Sequence, residues 1–352
     1  MTIAQKSSPS VSRRLVFIDV LRLIAALQMI QGHAVAAMLA PSYRSGPGFQ
    51  VWTFARGLTS VAFLFSAGFA FALAEARASD LGARRRRVGR ALRLLVIGYA
   101  MHAPLGMLLG TPASAALRGW AVVDVLQCIG VSLLSVELLS WRVAGWRARV
   151  LGALSLASFL FAVAPAAHGL TLSDRALALG NYFTGRYGSL FPLLPWSGYL
   201  FVGFGLGQLA VRTPRHVVRV LLGGAAVALP VGLAISYALP VAPLSVNPGY
   251  ALVKLGCVLV IAGGLAQGFR HVTRLPRTLA QLASQTLFLY VSHVVILSAD
   301  HVGLAHLLGN QHGPLFGVAL ALVLLVVCSL LALGLGSLRA RSVSGTRAAP
   351  SP

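Results

Sequence analysis

Three side chains within one early stretch could do chemistry. Asp19, Arg22 and His33 stand in Phe17-Ile-Asp-Val-Leu-Arg-Leu-Ile-Ala-Ala-Leu-Gln-Met-Ile-Gln-Gly-His33, a run that is otherwise apolar. A charge at the centre of a bilayer costs about 2.5–3.5 kcal/mol or more, so it is kept there to pair or to act. Of the three, His33 alone exchanges a proton near neutral pH without help from its surroundings. Asp19 and Arg22 share one helix face and can pair. Eleven helical residues put Arg22 about 16 Å from His33.

The elements that must hold these groups are membrane helices. The chain has 352 residues, is 57% hydrophobic and only 10% charged, and has a mean hydropathy of +0.81. A soluble domain is typically about 25% charged, whereas several apolar spans of roughly 20 residues account for this composition. The fold class expected is therefore all-α, a polytopic membrane helical bundle. About ten transmembrane helices can be drawn, near 17–40, 52–75, 91–110, 120–140, 150–167, 190–211, 219–239, 249–269, 280–301 and 314–338. They form one domain, 17–338, between a tail at 1–16 and a tail at 339–352. The basic Ser7–Arg14 segment followed by an apolar run resembles a signal peptide, but Asp19 and Arg22 inside the run argue for a retained first helix.

The net charge of +22 invites comparison with nucleic-acid binders. Its placement argues against them: 22 of the 29 Lys and Arg fall in alternate inter-helix segments and 4 in the others, with Arg22, Arg56 and Lys254 inside spans. That is the positive-inside pattern, which predicts both termini in the cytoplasm and a multi-pass protein of the cell (inner) membrane. The densest basic run, Arg84–Arg87 with Arg90 and Arg93, reads as a topogenic signal touching anionic lipid or as a site for a phosphate-bearing ligand. Cys128, Cys257 and Cys328 lie singly in apolar runs, with no metal-ligand spacing, so no metal is expected.

On this topology polar residues of several helices share the depth of His33: Arg56, Asp124 with Gln127, Trp196, Lys254, and Tyr290, His293 and Asp300. Singly, a lysine near a helix end snorkels and a tryptophan anchors at the interface. Together, such groups turn toward a shared cavity rather than toward lipid. The layer offers imidazole as a general base or acyl-carrying nucleophile and cations to steady a developing oxyanion. His33, Arg56 and Asp124 are the expected catalytic residues. Arg22, Gln127, Trp196, Lys254, Tyr290 and His293 are expected to bind substrate.

Four segments then make the chain resemble bacterial relatives of heparan-α-glucosaminide N-acetyltransferase, within the integral-membrane acyltransferases. They are Ile18-Asp-Val-Leu-Arg22 leading to His33, Phe54-Ala-Arg56 through Gly68, Val125-Leu-Gln127-Cys-Ile-Gly130, and Phe191-Pro-Leu-Leu-Pro-Trp196 through Gly203, with a weaker match at Leu282–His293. The resemblance implies transfer of an acetyl group from cytoplasmic acetyl-CoA to a saccharide or glycan acceptor on the far side of the lipid bilayer. An Arg followed eleven residues later by a His also occurs in the related O-acyltransferase branch, where that His is the proposed base. In the heparan enzyme the proposed catalytic His lies about eleven residues beyond the position of His33; here that place falls near Arg44, with no His. The departure favours His33 as the helix-one base. Acetyl-CoA is then a donor co-substrate, a homodimer is an open alternative, and nucleic acid is not a partner. The rival from another class is a proton-coupled secondary transporter or lipid-intermediate carrier using His33, Lys254 and His293; no mirrored pair of broken helices is visible to support it.

Overall fold

A computed structural model describes residues 15–104, 107, 110, 112–171, 176–298 and 303–346, with side chains to 338. All named elements are helical. They run α1 Val16–Met38, α2 Gly46–Arg77, α3 Leu81–Met101, α4 Ala113–Trp120, α5 Val125–Arg142, α6 Trp146–Gly169 and α7 Leu177–Phe183. After these come α8 Leu193–Arg212, α9 Val217–Ala238, α10 Pro248–Gly268, α11 Arg277–Ser284, α12 Thr286–Ser298, α13 Leu304–Leu308 and α14 Pro314–Thr346. Seven segments are long and apolar enough to cross a membrane: α1, α2, α5, α6, α9 with the turn before it, α10 and α14 to Leu338. The α11–α12 pair, bent by 66°, is an eighth if counted as one broken span. The protein is a polytopic membrane bundle.

Each of the ten expected helices has a counterpart, and the differences have local causes. The third begins at Leu81 rather than near 91, because Asp80 caps it by accepting from the Ala83 N–H at 2.9 Å and arginine is a good helix former. Its arginines keep it out of the set of apolar spans. The eighth helix, α8, falls outside that set for the opposite reason. It is buried along nearly its whole length, so small and aromatic residues serve it better than aliphatic ones. The expected helix at 280–301 is two helices meeting at Gln285. Asp300 lies outside the described residues.

The core forms around α8, which packs on α2, α5 and α6, while α1 packs on α2 and α14 and α9 packs on α10. Backbone-to-backbone approach of α2 and α8 depends on glycine. A Cβ on Gly68 would strike the Leu200 carbonyl, and one on Gly203 would strike the Phe65 carbonyl. Small residues at such crossings are how membrane helices gain packing energy where lipid supplies no hydrophobic drive. Buried aromatics fill in around them, with Phe17 edge-on to Phe69 and Phe71 edge-on to Phe204.

Candidate active site

A cavity of about 890 Å³ runs along the inner faces of α1, α2, α3, α5 and α12. Arg22, Arg87, Arg90, Arg93 and Thr286 line it at one end; His33, Arg56, Asp124, Trp196 and Tyr290 line it at the other. The rest of the wall is largely apolar, with Phe63, Phe71, Ile129 and Leu133 among its residues. The antiparallel order of α1 and α2 produces this arrangement. Arg22 lies early and His33 late in α1, while Arg56 lies early in α2 and Ala74, near its far end, returns to the arginine-rich side.

His33 does not stand alone. Its Nδ1 is 3.0 Å from Nε2 of His293, and Nδ1 of His293 is 2.7 Å from the Leu289 carbonyl oxygen. A carbonyl only accepts, so Nδ1–H of His293 donates to it and Nε2 of a neutral His293 accepts from Nδ1–H of His33. Nε2 of His33 is left with its lone pair, which is the condition for a base. His293 is fully buried and is not part of the cavity wall. The partner of His293, expected to bind substrate, is His33 itself in this structure.

Asp124 and Gln127 also take positions that their types did not announce. Asp124 Oδ1 accepts from the Val125 N–H at 2.7 Å, and Oδ2 accepts from the Tyr290 hydroxyl at 2.7 Å. Gln127 Oε1 accepts from the Asp124 N–H at 3.2 Å, closing a capping box at the start of α5. Gln127 is fully buried and absent from the cavity wall, and its Nε2 has no partner among the described residues. Its role here is to start a helix and pack on Gly98. Asp124 is a carboxylate held by two donors at the cavity edge.

Arg56 lies with its guanidinium 5.2 Å from the Trp52 ring centroid and its stem against Gly32, the neighbour of His33. The Lys254 ammonium sits 4.4 Å from the Tyr250 ring centroid and 5.9 Å from that of Trp196, beside Gly57. Lys254 is therefore one layer behind the wall that Gly57 and Trp196 form. At the opposite end Arg22 donates from Nη2 to Thr286 Oγ1 at 3.2 Å, directly at the break between α11 and α12. Asp19 lies within electrostatic reach of Arg22.

Sequence reasoning passed over Thr286 and His102, both on the cavity wall. Thr286 had a signal: Thr286, Tyr290 and His293 follow the spacing that puts residues on one helix face. His102 had none, being a lone histidine past the end of α3 whose Nδ1 meets the Gly98 carbonyl at 3.0 Å. Arg44, where the expected later histidine is missing, is committed to structure. It donates to the Leu39 and Ala36 carbonyls at the end of α1 and to Asn310. No group of three or more metal-ligating side chains occurs among the described residues.

Taken together, one cavity offers a histidine with an available Nε2, flanking cations and a distant arginine cluster, an arrangement suited to acyl transfer. No curated protein matches the chain. The family model described as heparan-alpha-glucosaminide N-acetyltransferase, catalytic, matches residues 14–235. Lys254, Tyr290 and His293 lie beyond that match. It takes in well over half of the chain, with His33, Arg56 and Asp124, and the chain belongs to the heparan-α-glucosaminide N-acetyltransferase family of membrane acyltransferases.

Proposed function

We propose that this protein transfers an acetyl group from cytoplasmic acetyl-CoA to a saccharide-like acceptor on the other side of the membrane, with His33 as general base. The observation that carries the reading is the single cavity linking Arg22, Arg90 and Arg93 to the available Nε2 of His33. Acetyl-CoA enters as a substrate. Its phosphates suit the arginine-rich end, where Arg90 and Arg93 are exposed and guanidinium can bind phosphate through two parallel hydrogen bonds. Its extended arm suits the apolar middle, and its thioester then reaches His33. The basic asymmetry of the loops supports the same sidedness, because the arginine-rich end adjoins the segments that carry most of the basic residues.

In this reading His33 Nε2 removes the proton from the acceptor's hydroxyl or amine as that atom attacks the thioester carbonyl. Nδ1–H, held on His293, keeps the imidazole in the tautomer with a basic Nε2 and spreads the imidazolium charge that forms. Arg56 faces the cavity within electrostatic range of His33 and stabilises negative charge on the carbonyl oxygen. The carbon–sulfur bond breaks, the proton on Nε2 passes to the departing thiolate, and the acyl group leaves on the acceptor. Asp124 orients Tyr290, which lies edge-on to His293 with ring centroids 5.6 Å apart.

The broken α11–α12 helix, with Arg22 bonded at its break, is the one observation that favours the transporter reading. Incubating the purified protein with acetyl-labelled acetyl-CoA separates the two. The wild type should release labelled acetate or pass the label on, and His33→Ala should lower that turnover by about a hundredfold to ten-thousandfold. Undiminished turnover in His33→Ala would end the proposed mechanism, and absence of turnover in the wild type would favour transport.

A further inference from the structure

Cations inside a membrane protein are normally matched by carboxylates or carbonyls, and among the described residues the half-buried ones of the His33 end are not. Arg56 and Lys254 have aromatic rings as their contacts: Trp52 for Arg56, Tyr250 and Trp196 for Lys254. Neither forms a salt bridge or side-chain hydrogen bond among the described residues, and Arg44 adds a third positive charge within range of Arg56. The nearby carboxylate, Asp124, is already engaged by Tyr290 and by the start of α5. A neutral His33 and a neutral His293 satisfy the hydrogen bonds between them and to the Leu289 carbonyl. Ring faces attract a cation but leave its hydrogen-bond donors available. Gly57 has no side chain to screen the Lys254 ammonium, and a Cβ there would sit 3.1 Å from Nζ.

We infer that the acceptor carries an anionic group, a carboxylate or a phosphate ester, which Arg56 recognises on the cavity wall with the Lys254 ammonium just behind Gly57. The inference rests on reading this cavity as an acyltransferase site and names the class of acceptor. The anion completes a charge pair that the described residues leave open. Trp196, on the same wall, offers stacking surface to an attached ring, so the reactive hydroxyl or amine is held in the cavity with His33. Arg56 lies inside the segment that the family model covers and Lys254 outside it, so both parts of the chain contribute to this selectivity.

Calorimetric titration of the full-length protein in uncharged detergent, without acetyl-CoA, tests the inference with glucuronate, glucose 1-phosphate and glucose as probes. At least one of the two anions should bind about tenfold or more tightly than glucose, and less tightly as salt is raised. Lys254→Met should weaken that binding about tenfold, whereas Lys254→Arg, which keeps the charge, should retain most of it. Arg90→Gln combined with Arg93→Gln should keep the preference for the anion, because those residues belong to the other end. Adding phosphatidylglycerol should not displace the bound anion; displacement would make a lipid headgroup the occupant and overturn the acceptor assignment. Equal binding of glucose, no binding of either anion, or unchanged anion affinity in Lys254→Met would also overturn it. Turnover of labelled acetyl-CoA is scored separately, so an active enzyme without anion preference refutes this inference alone.

Discussion

At the arginine-rich end of the molecule the chain supplies its own counter-charges. Arg87 makes two hydrogen bonds to Glu137, at 2.7 and 3.0 Å, while Arg84 lies 3.5 Å from the same carboxylate. Arg149 donates to Glu75 at 2.9 Å, and the other Glu75 oxygen accepts from Gln208 at 2.6 Å. These pairs tie α3 to α5, and α2 to α6 and α8. At the His33 end, Arg56 and Lys254 rest on aromatic rings, and Asp124, the carboxylate there among the described residues, is bound to a tyrosine and a helix start. A charge matched within the chain holds helices together; a charge left on ring faces is available to a ligand, at some cost to the stability of the free protein. Arg90 and Arg93, exposed and lining the cavity beside the paired Arg87, are likewise available to a ligand.

Breaking this comparison at its strongest point means removing a matched carboxylate. Glu75→Leu leaves the Arg149 guanidinium and the buried Gln208 amide without their acceptor. It should destabilise the protein by about 3 kcal/mol, visible as a large fall in the thermal midpoint in detergent. Lys254→Met removes an unmatched cation and should leave the midpoint unchanged or raise it. Equal losses in the two variants would show that both ends use charge in the same way.

The histidine pair sharpens the comparison on the catalytic side. Groups that orient a functional histidine are typically worth about tenfold to a hundredfold in activity. His293→Leu should lower kcat by that factor with KM for acetyl-CoA unchanged. His293→Gln should recover part of the loss, because its side-chain oxygen can accept from Nδ1–H of His33. A purely packing role would move the thermal midpoint in both variants without this difference in kcat.

Much of this was legible because a membrane restricts the options. Apolar runs located the helices, and the alternation of basic segments put His33, Arg56, Asp124, Trp196, Tyr290 and His293 at one depth. What depth could not supply was partnership. His33 and His293 are separated by 260 positions, and nothing local to either says that they share a proton. Gln127 carried a structural signal that the sequence reading did not use: an aspartate followed three residues later by glutamine at the start of an apolar run is a capping box. The start of α3 was missed because its arginines hide a good helix from a hydropathy reading. The break between α11 and α12 has no Pro or Gly at Gln285 to mark it, and it became visible only with Arg22 bonded across it to Thr286.

One cavity with a donor end and a chemical end predicts different CoA binding in two variants. Calorimetry with CoA on Arg22→Ala and His33→Ala, beside the wild type, needs no knowledge of the acceptor. A lost charge-assisted phosphate contact is typically worth about 1.5–3 kcal/mol, so Arg22→Ala should weaken CoA binding by about ten- to a hundredfold, with His33→Ala close to the wild type. If Arg22 serves only to pair with Asp19 and Thr286, Arg22→Ala will lower yield and stability while the folded protein binds CoA as before. That result, or loss of CoA binding in His33→Ala alone, would contradict the division of the cavity proposed here.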